Sequence, residues 1–283
     1  MRKQFEEIDA SEVHSADGAS ILIADHGAHL LSWTPAGGRA ALYLSKTSKY
    51  GTGCAIRGGV PIIFPQFGER GNGKRHGFAR TLPWRYEFSG VEQGRAVVRF
   101  CLSTAQVPVG TWPHDFALAY EVACSGEELH LSLEVSNPSG QAWEFCAALH
   151  TYLQLSALQQ LEITGLQHAT YLDQVAGGAT FAQDDEILRI HGETDRIYQT
   201  IRNPLLLNDG ERTITVSKRG FDDVVIWNPG AEKSAGLSDM PAQDYASFVC
   251  VEAGAIMQPV RLEAGTKWIG VQSIAVGKRA VAA

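Results

Sequence analysis

At 283 residues and a formal charge of −7, the chain has room for one large β domain or two modest ones. It is too acidic for a general nucleic-acid binder, whose affinity rests on Lys and Arg neutralising phosphates. A composition of 45% hydrophobic and 19% charged residues excludes disorder, and no run reaches the roughly 18 apolar residues of a membrane span.

In chain order, MRKQFEEIDASEV carries acids where a secretory signal would need an apolar run. ASILIAD, RAVVRFCLS, FALAYEV and ELHLSLEV then alternate apolar and polar residues with the period of a strand. In the last of these, Leu129, Leu131, Leu133 and Val135 share one face, against His130, Ser132 and Glu134 on the other. Further strands are predicted in RTITVSK, DDVVIWN, SFVCVEA and KWIGVQSIAV, with VEQGR, SGEE and above all NDGER as turns. SALQQL and the stretch around AGGATFAQDDE are assigned to short helical turns or loops. With no repeat, linker or composition shift, residues 1–283 read as a single all-β domain, an extended antiparallel β sandwich. The five cysteines are odd in number, widely spaced and without a C-x-x-C pair. They predict reduced thiols in a cytoplasmic protein, neither a disulfide frame nor a zinc site.

Five segments could carry chemistry. RGGVPIIFPQFGERGNGKRHGFAR, residues 57–80, gathers Arg57, Arg70, Lys74, Arg75, His76 and Arg80 among six glycines and two prolines. It reads as a solvated loop or as a local anion pocket. Within it GERGNGKR imitates a P-loop, but Arg75 stands where Mg²⁺ would need Ser or Thr. In WEFCAALHTYLQL, alternation aligns His150 with Ala148 and Tyr152, either as a satisfied core imidazole or beneath a space that the alanines leave open. In SFVCVEAGAI, Glu252 interrupts an apolar strand in line with Phe248 and Cys250. Burial there is costly unless an arginine pairs with it or a ligand uses it. Asp195 in GETDRIY reads as a cap or a solvated charge, Trp227 as core or a wall for a sugar ring, and Cys250 as a buried thiol. Neither G-x-S-x-G nor H-E-x-x-H is present.

Taken together and in order, GAHLLSW, AIRGGVPIIFPQFG, HGFAR, ALHTYL, ETDRIY, VVIWNP and VCVEAGAI resemble the hexose-6-phosphate mutarotases, the glucose-6-phosphate 1-epimerase branch of the aldose 1-epimerase family. The resemblance implies a large antiparallel β supersandwich that binds a sugar phosphate in an open cleft, without metal or organic cofactor; the charge and the lack of a long apolar run argue against nucleic-acid and membrane partners, and a monomer is expected. It makes His150 and Glu252 the acid and base, and Arg57 and Arg80 the phosphate ligands, with His76 beside them. Asp195 would hold sugar hydroxyls, with Trp227 nearby. Arg75 stands where relatives commonly carry glutamine, and is either a third cation for phosphate or turned to solvent. Anomer exchange of this kind requires an ionised glutamate and a charged histidine, and a bell-shaped pH profile follows. A mutarotase of unphosphorylated aldoses and a non-catalytic carbohydrate-binding sandwich are the alternatives. Glycoside hydrolysis would need a second carboxylate flanking the bond.

Overall fold

A computed structural model describes residues 1–51 and 53–278. Two eight-stranded antiparallel sheets face each other, with a four-stranded sheet formed by the first strands, Arg2–Phe5 to His29–Thr34. Among the described residues, helix is confined to one six-residue segment, Gly230–Ala235, and four short 3-10 turns. The architecture is the predicted all-β sandwich. Between the sheets lies one continuous apolar core, which receives Leu129, Leu131, Leu133 and Val135 as alternation requires. No helix among the described residues is long and apolar enough to cross a membrane.

The predicted hairpins form, and their turns explain why. Arg85–Glu92 and Arg95–Ser103 are joined by Gln93 and Gly94, both at positive φ (52° and 82°), the backbone of a tight turn whose twist matches the strands it joins. NDGER links Leu205–Asn208 to Arg212–Arg219; Asp209 caps it by accepting from the N–H groups of Glu211 (3.1 Å) and Arg212 (2.9 Å). SALQQL contains a 3-10 turn, Leu158–Gln160. The AGGATFAQDDE region differs from expectation, because Ala179–Ala182 forms the edge strand of a sheet. All four of its residues are exposed, so it has no buried face to give it an apolar period. The five cysteines are free thiols.

One sheet positions the site. Its strands run Ala179–Ala182, Thr170–Asp173, Thr194–Tyr198, Asp223–Asn228, Phe248–Leu262, Trp143–Leu149 and Ile62–Ile63, with Tyr152–Gln154 also on Phe248–Leu262. Val249, Val251 and Ala253 point into the inter-sheet core. The alternate residues face the outside of the sandwich, where Phe248 and Cys250 pack with Tyr43, Tyr152 and Met240. A second outer cluster holds Ile63, Ala148, Ile197 and Val225.

Candidate active site

Strand register assembles the site. Asp195 pairs with Trp227, Trp227 with Cys250, and Cys250 with Tyr152, giving one row across four strands. Two residues along, on the same face, the row is Ile197, Val225 and Glu252. Leu149 pairs with Ala253 and Tyr152 with Cys250, so His150 falls opposite Glu252. The side chains meet: His150 Nε2 lies 3.3 Å from Glu252 Oε1. Tyr152 stacks on the imidazole at 4.9 Å and 11°, and Trp227 closes on it edge-first at 5.9 Å. Glu252 keeps 2% of its side-chain surface exposed and His150 10%.

The glycine-rich loop supplies the cations, and two glycines show how. At Gly59 (φ 59°) a Cβ would sit 2.1 Å from Leu30 O. His29, fully buried, contacts Gly58 O through Nε2 at 2.8 Å. Arg57 is thereby held against the sheet; its Nε and NH2 reach Asp239 at 3.2 and 3.1 Å, and its NH1 donates to the Tyr152 hydroxyl at 3.1 Å. At Gly77 (φ 71°) a Cβ would sit 1.9 Å from Phe64 O. That close approach brings His76 within 5.9 Å of His150, ring to ring.

His76 adopts φ 63°, a left-handed conformation that few non-glycine residues take. It donates its N–H to Gly68 O (2.9 Å) and accepts the Gly68 N–H at Nδ1 (3.2 Å). Burial, reinforced by Arg80, Arg75 and Arg57, drives its pKa down to about 3. The ring is therefore neutral, with its proton on Nε2. Arg80 donates from NH2 to the carbonyl of Arg75 at 3.3 Å, while its buried Nε has no partner. The side chain of Arg75 is exposed, yet its charge reaches His76, Arg80 and Asp195. Burial raises the pKa of Asp195 and holds the Cys250 thiol far above its ordinary range.

All eight predicted residues thus converge around one stretch of sheet. None lines the cavity of about 980 Å³ between the 65–82 segment and residues 108–114. Around the buried pair, Arg57, Arg80, Asp195 and Trp227 stay partly exposed, whereas His76 and Tyr152 are buried. Besides Arg80 Nε, His150 Nδ1 and Glu252 Oε2 are buried without a hydrogen-bond partner. Buried polar atoms are nearly always satisfied; five others among the described residues are also unpartnered, but these three belong to neighbouring residues of one site. Sequence reasoning missed Asp239, which comes from 182 residues beyond Arg57 and has no motif. Tyr152 was visible only as a neighbour of His150.

The charge states differ from expectation. Burial raises the pKa of Glu252 well above its ordinary 4.5, with Asp195 adding to the effect. Burial, then His76, Arg80 and Arg57, lowers that of His150 well below 6.5. The unliganded pair therefore holds one proton, on the carboxyl side, instead of forming a carboxylate and an imidazolium. Stability follows. Below pH 4.5 the unfolded chain binds two protons at these groups and the folded pair one, so stability is lost as pH falls. Above pH 6.5 the unfolded chain binds none, so stability is lost as pH rises toward the folded pKa of Glu252. The excess unfolding free energy over the His150→Gln/Glu252→Gln double variant is expected to be flat between pH 4.5 and 6.5. It should fall by about 1.4 kcal/mol per pH unit on either side. Denaturant titrations across pH check this; a monotonic difference would contradict the shared proton.

A face of paired acid–base groups bordered by arginines and an indole, on an antiparallel sandwich, is the arrangement of a sugar-modifying enzyme. The aldose 1-epimerase profile matches residues 9–275, and the chain belongs to that family of epimerases and mutarotases. It is 33% identical over 283 residues to a protein of Escherichia coli K12 named "Putative glucose-6-phosphate 1-epimerase", covering 98% of this chain and 94% of that one. A plant protein of the same name, from Cenchrus ciliaris, is 31% identical and covers 87% and 78%. Among solved structures, "a putative mutarotase" from Salmonella typhimurium superposes with a TM-score of 0.89 at 32% identity, covering 98% and 93%. A galactose mutarotase-like protein from Clostridium acetobutylicum shares the fold at a TM-score of 0.77, with 13% identity and 98% of each chain covered.

Proposed function

We propose that the chain, acting as one domain, interconverts the α and β anomers of a hexose 6-phosphate, with glucose 6-phosphate as the first substrate to test. The observation that carries the reaction is the buried contact between His150 and Glu252, each with a further polar atom unpartnered. With sugar bound, the shared proton passes from Glu252 to His150; Glu252 then takes the proton of the C1 hydroxyl while His150 delivers one to the ring oxygen. The ring opens, C1 rotates, and the transfers reverse on closure. Ring opening converts carboxylate and imidazolium into carboxylic acid and imidazole. That neutral state is the one burial favours, so the dry floor stabilises the open-chain side of the step. The single proton needed is already on the pair. Activity should span a broad pH plateau whose acid limb lies below the ordinary imidazole value and whose basic limb lies above the ordinary carboxylate value.

Arg80 and Arg57 hold the phosphate, Asp195 the sugar hydroxyls, and Trp227 lies against the ring. His76 donates from Nε2, and Arg75 adds charge from the rim. Planar guanidinium groups suit a phosphate dianion because each donates two hydrogen bonds at once. One observation favours the unphosphorylated aldoses instead, since Arg57 already spends donors on Asp239 and Tyr152. Exchange NMR between the anomeric protons decides. Catalytic amounts of protein should accelerate exchange of glucose 6-phosphate well beyond that of glucose. Equal acceleration would favour the neutral sugar, and no acceleration of either would leave a binding protein.

A further inference from the structure

We propose that Gln272, on the opposite sheet, is a positioning residue that fixes the backbone beneath His150 and Glu252. The inference rests on reading those two as the reacting pair. It starts from a break in the sheet.

The strand that carries His150 is interrupted, with Trp143–Leu149 and Tyr152–Gln154 on either side of residues 150 and 151. Thr151 turns its N–H back to Leu149 O at 3.0 Å, closing a three-residue turn centred on His150. Val251 still donates its N–H to Thr151 O at 3.0 Å. In an antiparallel pair a residue's N–H and C=O point to the same neighbour. The Val251 carbonyl thus faces a strand whose matching donor has been withdrawn.

Gln272 makes good the loss from across the core. Its Nε2 donates to Val251 O at 3.0 Å, and its Oε1 accepts from Thr151 Oγ1 at 2.6 Å. Both side chains are fully buried. Along the Lys267–Lys278 strand, the other inward positions, Trp268, Ile274 and Val276, contribute apolar surface to the core. An amide there is costly unless both ends are satisfied, and here both are. The two residues it ties together are the chain neighbours of His150 and Glu252, so the one amide sets the separation of the reacting side chains on the far face. The turn that takes His150 out of the ladder persists because Gln272 occupies the gap behind it.

The test compares Gln272→Leu, Thr151→Val and Thr151→Ser with Ile274→Ala, a core truncation on the same strand face. The measurements are kcat and KM for glucose 6-phosphate by exchange NMR, the ¹⁵N shifts of the His150 imidazole, and the unfolding midpoint. Gln272→Leu and Thr151→Val should lower kcat roughly 10- to 100-fold with KM unchanged, the scale of a small misplacement of reacting groups. Both should move the His150 signals. Thr151→Ser, which keeps the hydroxyl, should restore kcat, and Ile274→Ala should lower the midpoint while sparing kcat and the imidazole shifts. Unchanged kcat in both polar deletions, unmoved His150 signals, or an equal kcat loss in Ile274→Ala would each overturn the role. Should Gln272→Leu not fold, Thr151→Val, which deletes a single hydroxyl, decides the question. Should the wild type not exchange anomers, the reaction assignment fails, and the His150 shifts still report whether the amide positions the ring.

Discussion

Glu252→Gln is expected to reduce anomer-exchange turnover by about 10²- to 10⁴-fold, the range supplied by one positioned proton carrier, while sugar binding persists. Glutamine preserves the shape and hydrogen-bonding reach of the side chain but cannot accept the C1 proton. Because Glu252 is almost wholly buried and its ionised form is disfavoured there, the amide should fold as well as the native residue or better. Loss of rate then cannot be assigned to unfolding. His150→Asn should give a loss of similar size. The double variant should be scarcely worse than either single one, because groups that pass one proton between them act as a unit. Rates from exchange NMR and affinities from calorimetry check both halves. A Glu252→Gln protein with native turnover would remove the mechanism.

Arg80→Ala is expected to cut kcat/KM for glucose 6-phosphate by about 10- to 150-fold, the value of one charge-assisted hydrogen bond at 1.5–3 kcal/mol, while changing the rate on glucose little. Arg80 is the cleaner probe of the two arginines. Its Nε is buried and unpartnered and its one side-chain bond goes to a backbone carbonyl, so its removal strands no opposite charge. Arg57→Ala should match the loss on the sugar phosphate but add a penalty on both sugars, because Asp239 and the Tyr152 hydroxyl lose their partner. Arg80→Lys should recover only part of the loss, since an ammonium cannot reproduce the planar fork. Equal losses on phosphorylated and free hexose for Arg80→Ala would argue that the guanidinium is structural.

The chemical residue types were legible in the sequence wherever a local pattern carried them. Period-two alternation identified the strands and put Glu252 on the face opposite Val249 and Val251 and His150 in line with Tyr152, because side-chain direction in a strand depends only on position parity. The glycines of the 57–80 stretch marked a loop; that Gly59 and Gly77 pack against the Leu30 and Phe64 backbone was not legible in it. The edge strand Ala179–Ala182 was illegible for the converse reason, since a fully exposed strand leaves no apolar period.

Parity says which face a side chain takes; it does not say which strands are neighbours. The contact of His150 with Glu252, the row from Asp195 to Tyr152, the grip of Asp239 on Arg57 and the reach of Gln272 through the core all join residues far apart in the chain. Sheet order and register alone bring them together. The protonation of the pair was likewise decided by the tertiary structure. Sequence supplied a carboxyl and an imidazole of ordinary acidity, and burial between two sheets, a property of neither residue, placed the proton they share.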